Sequence, residues 1–171
     1  MDREYDIIVW GATGFTGRLV VDYMTEQHEN SNLKWAVGGR NPQKLQQMLA
    51  DRDVAMVTAD SGDEASIEAL VRRTRVILTT VGPYARYGSS LVAACAKHGT
   101  DYCDLTGEVH WMREMITAYQ EEAIATGARI VHTCGFDSIP SDLGVYFLQK
   151  HMLSTHGVPA QQIKYLSLIH I

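Results

Sequence analysis

Ile7-Ile8-Val9-Trp10-Gly11-Ala12-Thr13-Gly14-Phe15-Thr16-Gly17 is the stretch that decides the fold. An apolar run ends in three glycines spaced G-x-x-G-x-x-G, and a helical pattern follows at once. That order reads as strand, tight turn, helix. Gly11 permits the sharp turn, Gly14 lets backbone approach a pyrophosphate, and Gly17 lets the helix pack on the strand. The N–H groups at the helix start then face the phosphates. The apolar stripe expected to cover the strand is Phe15, Leu19, Val20, Tyr23 and Met24.

Outward from this turn, strands and helices alternate. Strands are expected over residues 5–10, 33–37, 54–58, 75–80, 101–105 and 128–133, with helices between them and a last helix over about 140–150. Glu29 to Asn32 reads as a polar turn. Asn41 followed by Pro42 reads as a cap and first helical residue, opening a helix to about Asp51. Six alternations predict an α/β fold with a doubly wound parallel sheet. Ligands of such sheets bind outside the carboxyl ends of the strands.

The chain has 171 residues, 46% of them hydrophobic, and a net charge of −5. It is long enough for a real core. The negative charge argues against nucleic acid and anionic membrane as partners. Cys95, Cys103 and Cys134 are spread out with no C-x-x-C spacing, which suggests reduced thiols and a cytoplasmic protein. Neither a signal peptide nor an integral membrane segment is expected.

The second strand ends in Gly38-Gly39-Arg40-Asn41, where an NAD site would carry an acid for the ribose hydroxyls. An acid would repel a 2′-phosphate, whereas Arg40 can pair with it. NADP is therefore the expected cofactor. Asp60 and Ser61, after the third strand, are placed to touch the adenine or simply to open an acidic helix.

These motifs resemble the saccharopine dehydrogenase-like family, and within it the branch of trans-acting enoyl reductases. The resemblance rests on Gly11 to Gly17, Gly38-Gly39-Arg40 and Val81-Gly82-Pro83-Tyr84. It rests further on Tyr102-Cys103-Asp104-Leu105-Thr106-Gly107-Glu108 and on the run from Gly135 to Gly144. The last two are the more specific. The resemblance implies an NADP-binding Rossmann domain over residues 5–150. It also implies a C-terminal substrate domain, of which 151–171 would be a truncated start or a foreign tail. A small-molecule or lipid-linked substrate follows, and a homodimer is open to the full-length protein. This chain alone is expected to be inactive.

Hydride transfer asks the protein for orientation and one proton source. Gly82, Pro83 and Tyr84 could support the nicotinamide with their backbone, or merely end a strand. Asp104 and Glu108 are the candidate catalytic acids, with helix capping as the alternative for Glu108. Asp137 carries the same ambiguity. Tyr146 and Lys150 form the Y-x-x-x-K pair of short-chain dehydrogenases, but after the wrong strand, and Tyr146 reads better as core. His132 and Cys134 lack a third metal ligand nearby. Trp111, Met115 and Tyr119 read as core. Arg72, Arg73 and Arg75 form a short basic surface run. An NADP-dependent oxidoreductase domain is the favoured function. A non-catalytic dinucleotide-binding sensor or scaffold is the alternative.

Overall fold

The computed structural model describes residues 3–28, 31–50 and 52–166. Half of the expected polar turn (Glu29 and Asn30), Asp51 and residues 167–171 lie outside them. The elements in order are β1 Tyr5–Trp10, α1 Phe15–His28, β2 Trp35–Gly39, α2 Pro42–Leu49, β3 Ala55–Thr58 and α3 Glu64–Val71. There follow β4 Thr74–Thr79, α4 Tyr84–Tyr87, α5 Ser89–His98, β5 Asp101–Asp104, α6 Val109–Thr126, β6 Ile130–Val131 and α7 Ile139–His156.

The strands form one six-stranded sheet in the order β3-β2-β1-β4-β5-β6, and every pairing is parallel. This is the doubly wound α/β sheet expected from the alternation. The chain reverses direction across the sheet between β1 and β4, where such folds open a crevice for ligand. Strand alternation sends successive side chains to opposite faces. Ile8 and Trp10 join a core with residues of α3, α5 and α6. Val9 and Val37 join the other core, with Val21 and Met24 of α1 and Leu45 and Leu49 of α2.

The α1 stripe is a correction. Phe15, Leu19 and Tyr23 are exposed, and the residues facing the sheet are Gly17, Val21 and Met24. A Cβ on Gly17 would lie 2.2 Å from the Gly11 carbonyl oxygen, so glycine must face inward there. That close approach sets the rotation of the helix, and residues 15, 19 and 23 turn to the outside. The expected sixth strand also shortens to two residues. It cannot extend past His132, because Thr133 adopts φ 61°.

The caps match local chemistry. Asn41 accepts from the Lys44 N–H at 2.9 Å, and Asp63 accepts from the Ala65 N–H at 3.0 Å. Gly99 and Gly127 end α5 and α6 in the left-handed region. Helix α7 differs from the rest, since none of its eighteen residues is buried. Tyr146, expected as core, is exposed on it.

Candidate functional site

The strand register places the candidate residues together. Val57, Gly38, Trp10, Thr79 and Asp104 pair in succession across the sheet. The loops that leave this row at its carboxyl edge carry Gly11 to Gly17, Arg40, Asp60, Ser61, Gly82, Pro83 and Glu108.

The glycine turn is built by backbone. Gly11, at φ 90°, donates to the Gly38 carbonyl at 3.0 Å, and Gly14 donates to the Gly11 carbonyl at 3.0 Å. A side chain on Gly11 would strike Val81 and Thr80, so the turn sits tightly against the exit of β4. Helix α1 makes its first backbone bond from Arg18 to Gly14. The N–H groups of Phe15, Thr16 and Gly17 precede it and have no partner within the helix. The protein side of Gly14 is open, with nothing nearer to an added Cβ than the Gly11 oxygen at 3.4 Å. Thr13 is half-buried, while Gly14, Phe15 and Thr16 are exposed. Open backbone with unpaired donors fits a pyrophosphate.

Arg40 is exposed at the end of β2. Asp60 spends one carboxylate oxygen on the Gly62 N–H at 2.9 Å, which leaves its other oxygen and Ser61 at the rim beside β2.

The exits of β4 and β5 are laced together. Glu108 accepts from the Tyr84 N–H at 2.6 Å and from the Ala85 N–H at 2.9 Å. It therefore caps α4, not the helix that follows it. The Tyr84 ring is buried against Trp111, and its hydroxyl donates to the Thr79 carbonyl at 3.2 Å. Burial pushes the Tyr84 hydroxyl up to about 12, with Asp104 and Glu108 adding to the rise. The Tyr84 side chain and its N–H are thus engaged within the fold, and the exposed Gly82-Pro83 segment is what this loop offers to a ligand.

Asp104 is buried and fully engaged. Its Oδ1 accepts from the N–H groups of Thr106 at 3.1 Å and Thr133 at 3.0 Å. Its Oδ2 accepts from the Tyr102 hydroxyl at 2.8 Å and faces His132 Nδ1 at 2.7 Å. Burial alone would raise its pKa. The bonds from His132, Thr106, Thr133 and Tyr102 more than offset this and hold it below the usual aspartate range. An ionised carboxylate offers only lone pairs, so His132 Nδ1 carries a hydrogen. Burial, then the neighbouring Asp104, raises the Tyr102 hydroxyl. The Asp104 carbonyl also accepts from the Cys134 N–H at 2.7 Å. One residue thus ties β5 to the loop after β6 and holds Thr133 in its left-handed conformation.

Sequence reasoning missed this network and α4. The available signal was alternation, since Asp104 lies two residues from the apolar Tyr102 and so shares its inward face. Among the described residues, no group of three His, Cys, Asp or Glu could hold a metal ion. Trp111 and Met115 are core, and Tyr119 packs against it. No helix among the described residues is long and apolar enough to cross a membrane.

Known proteins share the family and the fold of this chain. Residues 7–131 match the family described as saccharopine dehydrogenase NADP binding domain. The chain is 48% identical over 154 residues to a trans-acting enoyl reductase of Mycobacterium tuberculosis, covering 87% of this chain and 36% of that protein. It is 44% identical over 156 residues to the trans-acting enoyl reductase of Mycobacterium leprae, covering 88% and 37%. The chain therefore spans about a third of the length of these relatives. Among solved structures it resembles apo saccharopine dehydrogenase (L-Glu forming) from Saccharomyces cerevisiae. The TM-score is 0.69 at 18% identity, over 90% of this chain and 32% of that one. It also resembles the triphenylmethane reductase of Citrobacter sp. complexed with NADP(H), at TM-score 0.57 and 18% identity, over 85% and 55%. At such identities the two structures speak to the fold alone. The phosphate-ready turn, the absence of an acid at the end of β2 and the match over residues 7–131 agree: the chain belongs to the saccharopine dehydrogenase NADP binding domain family, and its cofactor is NADP.

Proposed function

We propose that this chain is the cofactor-binding part of an NADP-dependent reductase acting on an enoyl C=C bond, with C=N as the other substrate class. The observation that carries the reading is the open turn at Gly14, with the unpaired N–H groups of Phe15, Thr16 and Gly17 at the sheet's crevice. The relatives named trans-acting enoyl reductase favour the alkene, and a small or lipid-linked enoyl group would be the substrate.

In this reading Gly11 to Gly17 hold the pyrophosphate, Arg40 meets the 2′-phosphate, and Asp60 and Ser61 flank the adenine. The bound cofactor supplies a hydride. The backbone at Gly82 and Pro83 supports the nicotinamide over the ends of β1, β4 and β5. Asp104 has its four lone pairs committed within the fold, so it positions the β5 and β6 exits rather than delivering the proton, whereas half-exposed Glu108, with one lone pair free on each oxygen, stays the candidate acid. We assign the Rossmann domain to residues 5–150. Beyond β6, α7 with its uncovered Leu143, Tyr146 and Phe147 leads towards a substrate-covering region.

Without that region the ring stands in water, and no wall holds a substrate carbon at near-attack distance. NADPH oxidation should therefore be compared for this chain and for the protein carrying the downstream region, with enoyl thioester and imine substrates. The chain alone should show at most a small fraction of the longer protein's kcat/KM on the enoyl substrate. Equal kcat/KM would make residues 1–171 a whole enzyme. Tight NADPH binding by the longer protein, with no turnover on either substrate class, would favour a sensor or scaffold.

A further inference from the structure

A cavity of about 310 Å³ lies along β6, on the face of the sheet that α5 and α6 cover, and its wall includes Val92, Met115, Ile116, Ile124, Ile130 and His132. No residue assigned to the cofactor belongs to this wall. Among its described residues, His132 is the one imidazole, and no Lys, Arg, Asp or Glu accompanies it. The His132 side chain is 6% exposed, and its Nδ1 is spent on Asp104 at 2.7 Å. Tyr102 and Trp111 meet the ring edge-to-face, with centroids 5.7 and 5.2 Å away, which fixes its plane. Nε2 is buried and has no hydrogen-bond partner among the described residues. An imidazole sends its two nitrogens in nearly opposite directions. With Nδ1 turned towards β5, Nε2 is turned away from it, to the side of β6 on which the cavity opens. Buried polar atoms in native proteins are paired, so an orphan at a cavity wall points to an occupant.

We infer that this cavity is a binding site for a neutral apolar alcohol of about ten heavy atoms, whose hydroxyl donates to His132 Nε2. Size sets the upper bound. An apolar cavity of about 150 Å³ takes up benzene, so twice that volume accepts about ten heavy atoms. The walls set the body of the ligand, since Val92, Met115, Ile116, Ile124 and Ile130 offer only apolar contact. The imidazole sets its head. Nδ1 carries the hydrogen that meets Asp104, so in the neutral ring Nε2 offers a lone pair and asks for a donor. An anionic head group is disfavoured, because it would add a negative charge beside the buried Asp104 with no cation in the wall. An ammonium head would find one acceptor among apolar side chains and leave its other hydrogens unpaired. A single hydroxyl satisfies the orphan nitrogen without burying a charge.

The test is equilibrium binding of 1-octanol and of its isomer methyl heptyl ether to the 171-residue chain at pH 8, followed by the nitrogen resonances of 15N-labelled histidine. The two probes match in size, and only the alcohol can donate. Octanol should bind saturably at one site, about tenfold more tightly than the ether, and should shift His132 Nε2 while the ether leaves it in place. Ala123→Phe fills the cavity from α6 without touching His132 or Asp104, and should abolish the octanol shift. The comparison of alcohol with ether in wild type stands whether or not that variant folds. Equal affinity for the two probes, or no saturable binding of octanol, would overturn the inference. So would an octanol shift that persists in a folded Ala123→Phe, which would put the alcohol elsewhere. Octanol bound by this chain but not by the protein carrying the downstream region would also overturn it, by making the cavity the seat of that region. None of these outcomes bears on NADPH binding at the glycine turn.

Discussion

Gly14→Asp should bind NADPH about a thousandfold more weakly than wild type, because like charges about 4 Å apart at an interface repel by about 4 kcal/mol. The same variant should melt close to the wild-type temperature. The structure separates these effects, since an added Cβ at Gly14 meets nothing nearer than 3.4 Å within the protein. Its side chain would instead project into the space assigned to the pyrophosphate. Gly17→Ala is the contrasting case. Its Cβ would lie 2.2 Å from the Gly11 oxygen and 2.9 Å from Ala12 Cα, both backbone atoms, so α1 must move off the sheet. That variant should lose thermal stability and cofactor together. Calorimetric titration with a parallel melting curve distinguishes the two. Wild-type affinity in Gly14→Asp would remove the turn from the cofactor site.

Asp104→Ala should cost about 3–5 kcal/mol of folding stability, the usual penalty for breaking a buried charged network. For a chain of this size that lowers Tm by about 10 °C. The deletion leaves the Tyr102 hydroxyl, His132 Nδ1 and the Thr106 and Thr133 N–H groups without their acceptor. It also releases Thr133 from a conformation that β-branched residues rarely adopt. Asp104→Asn, which keeps one acceptor oxygen, should cost less.

The pH dependence has a definite sign. The folded carboxyl titrates below its unfolded value, so its stabilisation is complete above the unfolded pKa and is lost as pH falls through the folded one. The stability gap between wild type and Asp104→Asn should be full at neutral pH and should narrow as pH drops below about 4. Urea midpoints at several pH values measure it. A gap that widened in acid would show that Asp104 is not the anion of this network.

The strands, the glycine turn and the lack of an acid after β2 were legible in the sequence because each is a local property. Each apolar run, the glycine spacing and the Gly39-Arg40 strand end is read from residues a few positions apart. What was not legible depends on pairing between distant segments. Asp104 looks like a free acid at a strand end until β6 brings His132 and Thr133 to it, 28 and 29 residues away. Glu108 looks like the cap of its own helix until α4, more than twenty residues earlier, offers it two N–H groups. The rotation of α1 was misread for a related reason. Hydrophobicity alone favoured Phe15, Leu19 and Tyr23 as the inner face. The backbone contact between Gly17 and Gly11 overrules it and leaves those three outside.

The central claim is that this fold holds NADP through the glycine turn and the basic end of β2, and its direct measurement is a titration of the purified chain with NADPH and with NADH. Saturable binding of one cofactor per chain is predicted, with NADPH favoured by about ten- to a hundredfold, since a charge-assisted pair contributes roughly 1.5–3 kcal/mol. Arg40→Ala should erase much of that preference while leaving NADH affinity nearly unchanged. No saturable binding of either cofactor, or a wild-type preference for NADH, would contradict the account.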